Sequence, residues 1–375
     1  WFRAPKMETA LIPDFDRKIE GICRECTREK ITAFAGVPSW NLVLMRRVLE
    51  YTGKSNLLDA IYYLSFCKSF THVNDSQNIR HGEEFFMLQG IYDRNDATET
   101  LSCGIRRKQK KSFKRNKKEY ERLSDHIGFA PLVMVSPDDN ILIRGGGEER
   151  RRFIDVVISQ WDKPYLDSLI RYNKSLEQRN ALIRQQISDP SLYEIWEEQM
   201  ARSASRVYDT RQRFLEDFIP VFNRFYNNIA AGNEQVGLTY RSHLAEGDLL
   251  PQLEASRTRD LLIGYTTKGI HRDDMEMTLD DYPMKRIGSQ GQCKTYLVAL
   301  KLAQYEFLAR HGNTTPILLL DDLFDKLDAG RVERIMQLVS SDLFGQIFIT
   351  DTNREYLDQI IRHTTAQHSL FNVVN

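Results

Sequence analysis

The sequence predicts an α/β fold with a parallel sheet and an inserted pair of long helices. Ile317-Leu318-Leu319-Leu320 and Ile347-Phe348-Ile349 are unbroken apolar runs of the kind buried in parallel sheets, and the helical segment between them completes a βαβ unit. From about Lys163 the apolar spacing changes to threes and fours, the period of helices. With 41% hydrophobic and 10% aromatic residues in 375, the chain can bury a sizeable core, which excludes wholesale disorder.

Taken in order, Ser39 reads as an N-cap, and Trp40, Val43, Leu44, Val48 and Leu49 follow at helical spacing until Gly53 stops the run. A second helix is expected over residues 55–66. Between Glu84 and Val135, the apolar stretches 85–88, 101–105 and 132–135 alternate with polar turns and predict a small sheet. Leu166, Leu169, Asn173, Leu176, Asn180, Ile183 and Ile187 form a coiled-coil-like seam with two Asn in it. Asp189-Pro190 breaks it, and Trp196, Met200, Val207, Phe214 and Phe218 carry the return helix, so the pair should be an antiparallel hairpin. After about Thr258 strands return: Met275, Met277 and Leu279 alternate, Asp280-Asp281-Tyr282-Pro283 reads as a turn, and a helix follows over residues 295–310. The expected segments are 1–53, mostly helical; 54–160, with the small sheet and a basic hairpin; 161–257, the helical lobe; and 258–375, the second α/β part.

Lys plus Arg equal Asp plus Glu at 52 each, yet residues 106–118 hold nine bases and no acid, so the remainder is net acidic by nine. The bases are Arg106, Arg107, Lys108, Lys110, Lys111, Lys114, Arg115, Lys117 and Lys118. Such a segment either attracts nucleic-acid phosphates or is a solvated hairpin tip. No apolar run approaches the ~18 residues that cross a bilayer, and Trp1 does not open a signal peptide. The five scattered cysteines argue against a disulfide framework, so a cytoplasmic location is expected. Cys23 and Cys26 form a lone C-x-x-C without the second pair that zinc needs. His271 reads as a structural hydrogen-bonding residue.

Leu318-Leu319-Leu320-Asp321-Asp322 is the most telling local pattern. It sets two carboxylates at the C-terminal edge of a parallel strand, where Asp321 can hold Mg²⁺ and Asp322 can orient an attacking water. Gly53-Lys54-Ser55 matches the end of a phosphate loop, but Val48 stands where the full pattern needs its first Gly. Ser289-Gln290-Gly291-Gln292, with Lys294 behind it, precedes a helix and suits a γ-phosphate. Leu327-Asp328 follows Asp322 by six residues.

In that order, these pieces resemble the RecF recombination-mediator family, relatives of SMC and ABC ATPases. The resemblance runs from about Ser55 to the C-terminus. It is carried by Ser55-Asn56-Leu57-Leu58-Asp59-Ala60-Ile61, Ser136-Pro137-Asp138-Asp139, Glu149-Arg150-Arg151-Arg152-Phe153, Gln178-Arg179-Asn180, His271-Arg272-Asp273-Asp274, and the loop and Asp-Asp strand above. Ile270 departs from the family's usual Pro, and Cys293 from a bulky polar residue. The first 58 residues are instead similar to the auxin-responsive acyl-amido synthetase family, through Phe34-Ala35-Gly36-Val37-Pro38-Ser39-Trp40 and the stretch around Gly53. The chain thus reads as a join there, whether natural, recombinant or of assembly.

The RecF resemblance implies an ABC/SMC-type ATPase head, P-loop-like, with the helical hairpin inserted. It implies ATP sandwiched with Mg²⁺ between two subunits. One would supply Gly53, Lys54, Ser55, Asp321 and Asp322; the other would supply Ser289, Gln290, Gly291 and Gln292, with Asn56 and Asp328 also binding the nucleotide. Metal contacts would come from Ser55 and Asp321, and Asp322 would be catalytic. Implied partners are single-stranded and duplex DNA, RecO and RecR proteins and a second copy of the chain, without a membrane, in replication, recombinational repair and the SOS response. A non-catalytic DNA-binding scaffold with an impaired ATP site is the alternative. An adenylating enzyme is rejected, because so short a fragment cannot supply the domain.

Overall fold

A computed structural model describes residues 56–71, 74–79, 82–94, 97–230, 232, 234–323 and 327–350. The helix expected over 40–53 lies outside them. In chain order come α1 (Asn56–Phe66), β1 (Phe85–Arg94), β2 (Ala97–Arg106), β3 (Ser112–Arg115), β4 (Lys118–Glu119) and β5 (Leu132–Val135). There follow α2 (Ile141–Arg144), α3 (Gly147–Ser159), α4 (Lys163–Arg184), α5 (Ser191–Ala230), β6 (Val236–Arg241) and α6 (Leu249–Ile263). The chain continues with β7 (Asp274–Leu279), β8 (Tyr282–Pro283), α7 (Met284–Ile287), α8 (Gln290–His311), β9 (Ile317–Asp321), α9 (Ala329–Val339) and β10 (Ile347–Thr350). Two compact units emerge: Trp1–Met134 with Pro316–Asp321 and Val339–Asn375, and Val135–Thr315 with Asp322–Leu338.

In the first unit β1 to β4 form an antiparallel sheet in sequence order, and β2 buries every second side chain from Glu99 to Ile105. Helix α1 packs on this sheet. At Gly90 a Cβ would meet Leu64 Cδ1 and Tyr92 Cε2 at 2.9 Å, so a larger residue there would push those side chains aside. Asp59, in the first helical turn, accepts from the Ser69 hydroxyl (2.7 Å) and the Phe70 amide (2.5 Å), fastening the chain that leaves the helix. The second sheet has the order β10-β9-β5, with β9 and β10 parallel, as expected of the two apolar runs. The expected small sheet is corrected here: residues 132–135 belong beside β9, because all four side chains of β5 are buried, as a strand covered on both faces requires. Strand β10 is half-buried along its length.

In the second unit α4 and α5 form the expected antiparallel pair. Asp162 caps α4 by accepting from the Tyr165 amide (2.8 Å), and Asp189 takes the Ser191 amide (3.0 Å) where α5 begins. The seam differs from expectation. The buried stripe of α4 is Tyr165, Ser168, Tyr172, Ser175, Arg179 and Ile183, while Asn173 is exposed and Ile187 lies past the helix. The reason is charge pairing. Arg179, wholly buried, donates to Glu197 (2.9 Å), Asp260 (2.7 Å), Thr266 Oγ1 (2.9 Å) and the Leu253 carbonyl (3.1 Å). Asn180 holds Thr266 instead of its own partner helix, accepting from both its amide and its hydroxyl at 2.8 Å.

A second buried guanidinium lies nearer the sheet. Arg211 of α5 donates to Asp155 of α3 (2.8 Å), the Tyr165 hydroxyl of α4 (3.1 Å), the Ile270 carbonyl (3.2 Å) and Asp273 (2.9 Å). Burial pushes the Asp273 carboxyl up, and the Arg211 charge pulls it back. From Asp273 the chain enters β7, the centre of an antiparallel β6-β7-β8 sheet. The expected turn is tighter than four residues: Asp280 and Asp281 have φ of 46° and 65°, a two-residue hairpin turn, and Tyr282-Pro283 already pairs back on β7. His271 is structural. Its Nε2 faces the Thr266 carbonyl (3.0 Å), which can only accept, so that nitrogen carries the proton and Nδ1 accepts from the Tyr172 hydroxyl (2.7 Å).

Arg211→Met is expected to lower the unfolding free energy by about 3–5 kcal/mol, because the Asp273 carboxylate stays buried without its counter-charge. Urea denaturation measures this, and a loss below about 1 kcal/mol would remove the network from the fold's supports. Burial, reinforced by the charges of Arg272 and Arg151, lowers the His271 pKa to about 4. The unfolded chain takes up that proton near pH 6.5 and the native chain does not, so this residue's contribution falls as pH drops from about 6.5 to about 4. His271→Gln should therefore show a flatter stability–pH slope across that window than the parent.

Candidate functional site

The acids at the end of β9 are placed by the strand's own hydrophobicity. Leu318, Leu319 and Leu320 are fully buried, and the chain surfaces at Asp321 and Asp322, both half-buried. Asp321 Oδ1 accepts from the Thr350 hydroxyl (2.6 Å), its register partner on β10. Asp322 adopts φ of 47°, a left-handed conformation that ends the strand abruptly and that Asp tolerates better than branched residues. Its carbonyl accepts from Lys294 Nζ (3.1 Å), so the lysine behind the Ser289 loop secures the backbone at the strand end. Asp328 caps α9: its Oδ1 accepts from the Arg331 amide (2.9 Å), and Arg331 Nε lies 3.3 Å from Oδ2. The Arg331 amide, then its charge, holds this exposed carboxyl below the usual range.

The loop before α8 is built by a tight turn and a double cap. At Gly288 a Cβ would meet the Met284 carbonyl at 2.9 Å, so the turn out of α7 requires glycine. Ser289 is the N-cap. Its hydroxyl accepts from the Gln292 amide (3.2 Å), and Gln292 Oε1 accepts from the Ser289 amide (2.8 Å). The helix therefore starts at Gln290, five residues before the expected start. Ser289 and Gln290 are exposed, Gly291 and Gln292 half-buried. Cys293 is buried beneath them, and burial pushes its thiol up. The Ser289 oxygen is used as an acceptor, which leaves its O–H to donate outward beside the positive end of a 22-residue helix. Such a terminus can receive an anion.

The basic segment spans the end of β2, β3 and the start of β4. Six of its nine bases, Arg106, Arg107, Lys108, Lys110, Lys117 and Lys118, are exposed; Lys111, Lys114 and Arg115 are half-buried. Lys111 points inward, donating to the Tyr63 hydroxyl (2.9 Å) and Cys67 carbonyl (2.6 Å) and pairing with Asp75 (2.7 Å). Arg115 is paired with Glu99. Two of the nine charges are thus already engaged within the fold.

Gly53, Lys54, Ser55, Cys23 and Cys26 lie outside the described residues, and Asn56 is placed only as the first residue of α1. Among the described residues no group of three or more His, Cys, Asp or Glu is arranged to hold a metal. No helix among them is long and apolar enough to cross a membrane. Sequence reasoning missed Glu234, which accepts from Gln292 Nε2 (2.7 Å) and the Tyr226 hydroxyl (2.5 Å). No motif marks it; its position between a helix end and a strand was the only available signal.

No family model matches the chain. Among curated proteins it is 59% identical over 323 residues to the DNA replication and repair protein RecF of Bacteroides fragilis, covering 86% of this chain and 87% of that one. It is 58% identical over 323 residues to the protein of the same name from Bacteroides thetaiotaomicron, covering 86% and 88%. Among solved structures it resembles that of the recombination mediator protein RecF with ATP in the RecFOR pathway, with a TM-score of 0.73, 29% identity and coverage of 82% and 87%. The fold is thus the α/β one of that RecF structure. The acyl-amido synthetase resemblance of residues 1–58 is not supported by these comparisons.

Proposed function

The chain belongs to the RecF family of DNA replication and repair proteins, and we propose that it is an ATP-gated DNA-binding dimer acting in recombinational repair, replication and the SOS response. The observation that carries the ATP part is the exposed Ser289 cap, whose free O–H and helix terminus are built for an anion delivered from outside. In this reading one subunit holds ATP through Gly53, Lys54, Ser55 and Asn56, and its partner closes over the γ-phosphate with Ser289, Gln290, Gly291 and Gln292. Asp328, just past the Asp-Asp strand, belongs to the same closed face. Hard carboxylate and hydroxyl oxygens suit Mg²⁺, which Asp321 and Ser55 would hold. Asp322 orients the water that attacks the γ-phosphorus as ADP departs, and losing that phosphate loosens the dimer. RecO- and RecR-type proteins would be partners.

DNA binding is assigned to the six exposed bases of the 106–118 segment, with Lys114 beside them. Lys111 and Arg115 contribute through the fold, since their charges are engaged. A purely non-catalytic scaffold is not favoured, because the cap at Ser289 and both strand-end acids are intact. The phosphate loop is the weak part. With Val48 in place of its first Gly, the amide cradle is short of donors, each worth about 1.5–3 kcal/mol to a charged ligand, so ATP should bind weakly.

Sedimentation of the full chain with DNA should show self-association that requires saturating Mg-ATP and is lost in Ser289→Arg and Lys54→Ala. Self-association indifferent to ATP would overturn the gating. Calorimetric titration is expected to give weak ATP binding; micromolar affinity abolished by Lys54→Ala would show that the loop is complete in function. For DNA, replacing Arg106, Arg107, Lys108, Lys110, Lys117 and Lys118 by Gln should leave thermal stability unchanged. It should reduce the log–log salt slope by about 0.9 for each phosphate that is no longer neutralised. Lys111→Gln should instead lower stability. An unchanged affinity and slope in the sixfold variant would make the segment a solvated tip.

A further inference from the structure

We infer that Glu234 is a positioning residue that ties the C-terminal end of α5 to Gln292, and through Gln292 sets how Ser289 meets a phosphate. This rests on the ATP reading of Ser289 given above. The carboxylate is shared between two donors: Oε1 accepts from Gln292 Nε2 (2.7 Å) and Oε2 from the Tyr226 hydroxyl (2.5 Å). Gln292 cannot turn over without loss. Its Oε1 must face the Ser289 amide, which only donates, and its Nε2 must face Glu234, which only accepts. One carboxylate therefore fixes the orientation of the side chain that caps the loop.

Tyr226 is as firmly placed. It is wholly buried on α5, with its ring 6.0 Å from that of Tyr296 on α8, and burial raises its pKa, so it stays a donor. A second tie leaves the same end of α5: Arg334 of α9 donates to the Ile229 carbonyl (2.8 Å). Both elements expected to face a partner's ATP, the Ser289 loop and the helix capped by Asp328, are thus fastened within three residues of each other on α5. That helix has 40 residues, about 60 Å at 1.5 Å each, and its far end carries Glu197 of the Arg179 cluster. Pro220 lies between Glu197 and Tyr226, so the tie at Glu234 acts on the C-terminal part of the helix.

The test uses the full chain as wild type, Glu234→Ala and Glu234→Gln. A Gln at 234 can still accept from Gln292 while its own amide donates to the Tyr226 oxygen, so geometry is kept as charge is removed. In the nucleotide-free chain Glu234→Ala should speed hydrogen exchange at the Ser289 and Gln292 amides about tenfold, with the rest of α8 unchanged. The same variant should weaken Mg-ATP-driven self-association about tenfold, while Glu234→Gln stays within about twofold of wild type on both measures. Unaltered exchange at those two amides in Glu234→Ala would overturn the positioning role. So would faster exchange along all of α8, which is loss of fold. If the two amides respond as expected but wild type ignores ATP, the positioning stands and the phosphate reading of Ser289 falls.

Discussion

The second unit depends on burying the Arg211 guanidinium between two counter-charges, Asp155 and Asp273. A charge taken from water costs several kcal/mol, and that cost is recovered only if every surrounding group is held in place. Here the groups come from four separate pieces of chain: Asp155 on α3, Tyr165 on α4, Arg211 on α5 and the Ile270-to-Asp273 segment. Satisfying one side chain therefore fixes three helices against the start of β7. From β7 the register passes to β6 through pairs such as Leu238 with Met277, and β6 begins two residues after Glu234. The loop that would meet phosphate hangs from that sequence of contacts.

Arg179 repeats the arrangement further along α4. Two fully buried arginines on a helix pair make the lobe specific rather than merely stable, since a slip of one residue would strand both charges. An apolar seam tolerates such slips far more readily. The 40-residue helix carries Glu197, Arg211 and Tyr226, and Pro220 interrupts its backbone bonding between the last two. Glu234 is the point where the C-terminal part of that helix is tied to the capping box of α8.

The legible parts of the sequence were those whose physics is local. A run of four apolar residues ending in acids has few folds open to it, and β9 with Asp321 at its edge follows. Ser289 and Gln292 at cap spacing announce the start of a helix, although its first turn, Gln290 to Cys293, hides in the sequence because it holds two Gln and a Gly. Asp280-Asp281 gives the hairpin turn. The α4 seam was misread by one position because Arg179 and the tyrosines look like surface residues until their partners, 18 to 99 residues away, are in view. Residues 132–135 were assigned to the wrong sheet for the same reason, as strand neighbours are not written in the strand.

By itself the sequence determined the kinds of element and the order of the motifs, because these depend on composition and spacing within short windows, and that order resembles the RecF family. Only the tertiary structure decided which charges are working surface and which are fold. Lys111 and Lys110 are adjacent and chemically identical, yet one fastens α1 through Tyr63 and Asp75 while the other faces water. The same holds for Glu234, an unremarked acid in the sequence that becomes the contact between a long helix and the capping box. A charge acquires its role from the groups within about 4 Å of it, and those groups are chosen by the fold.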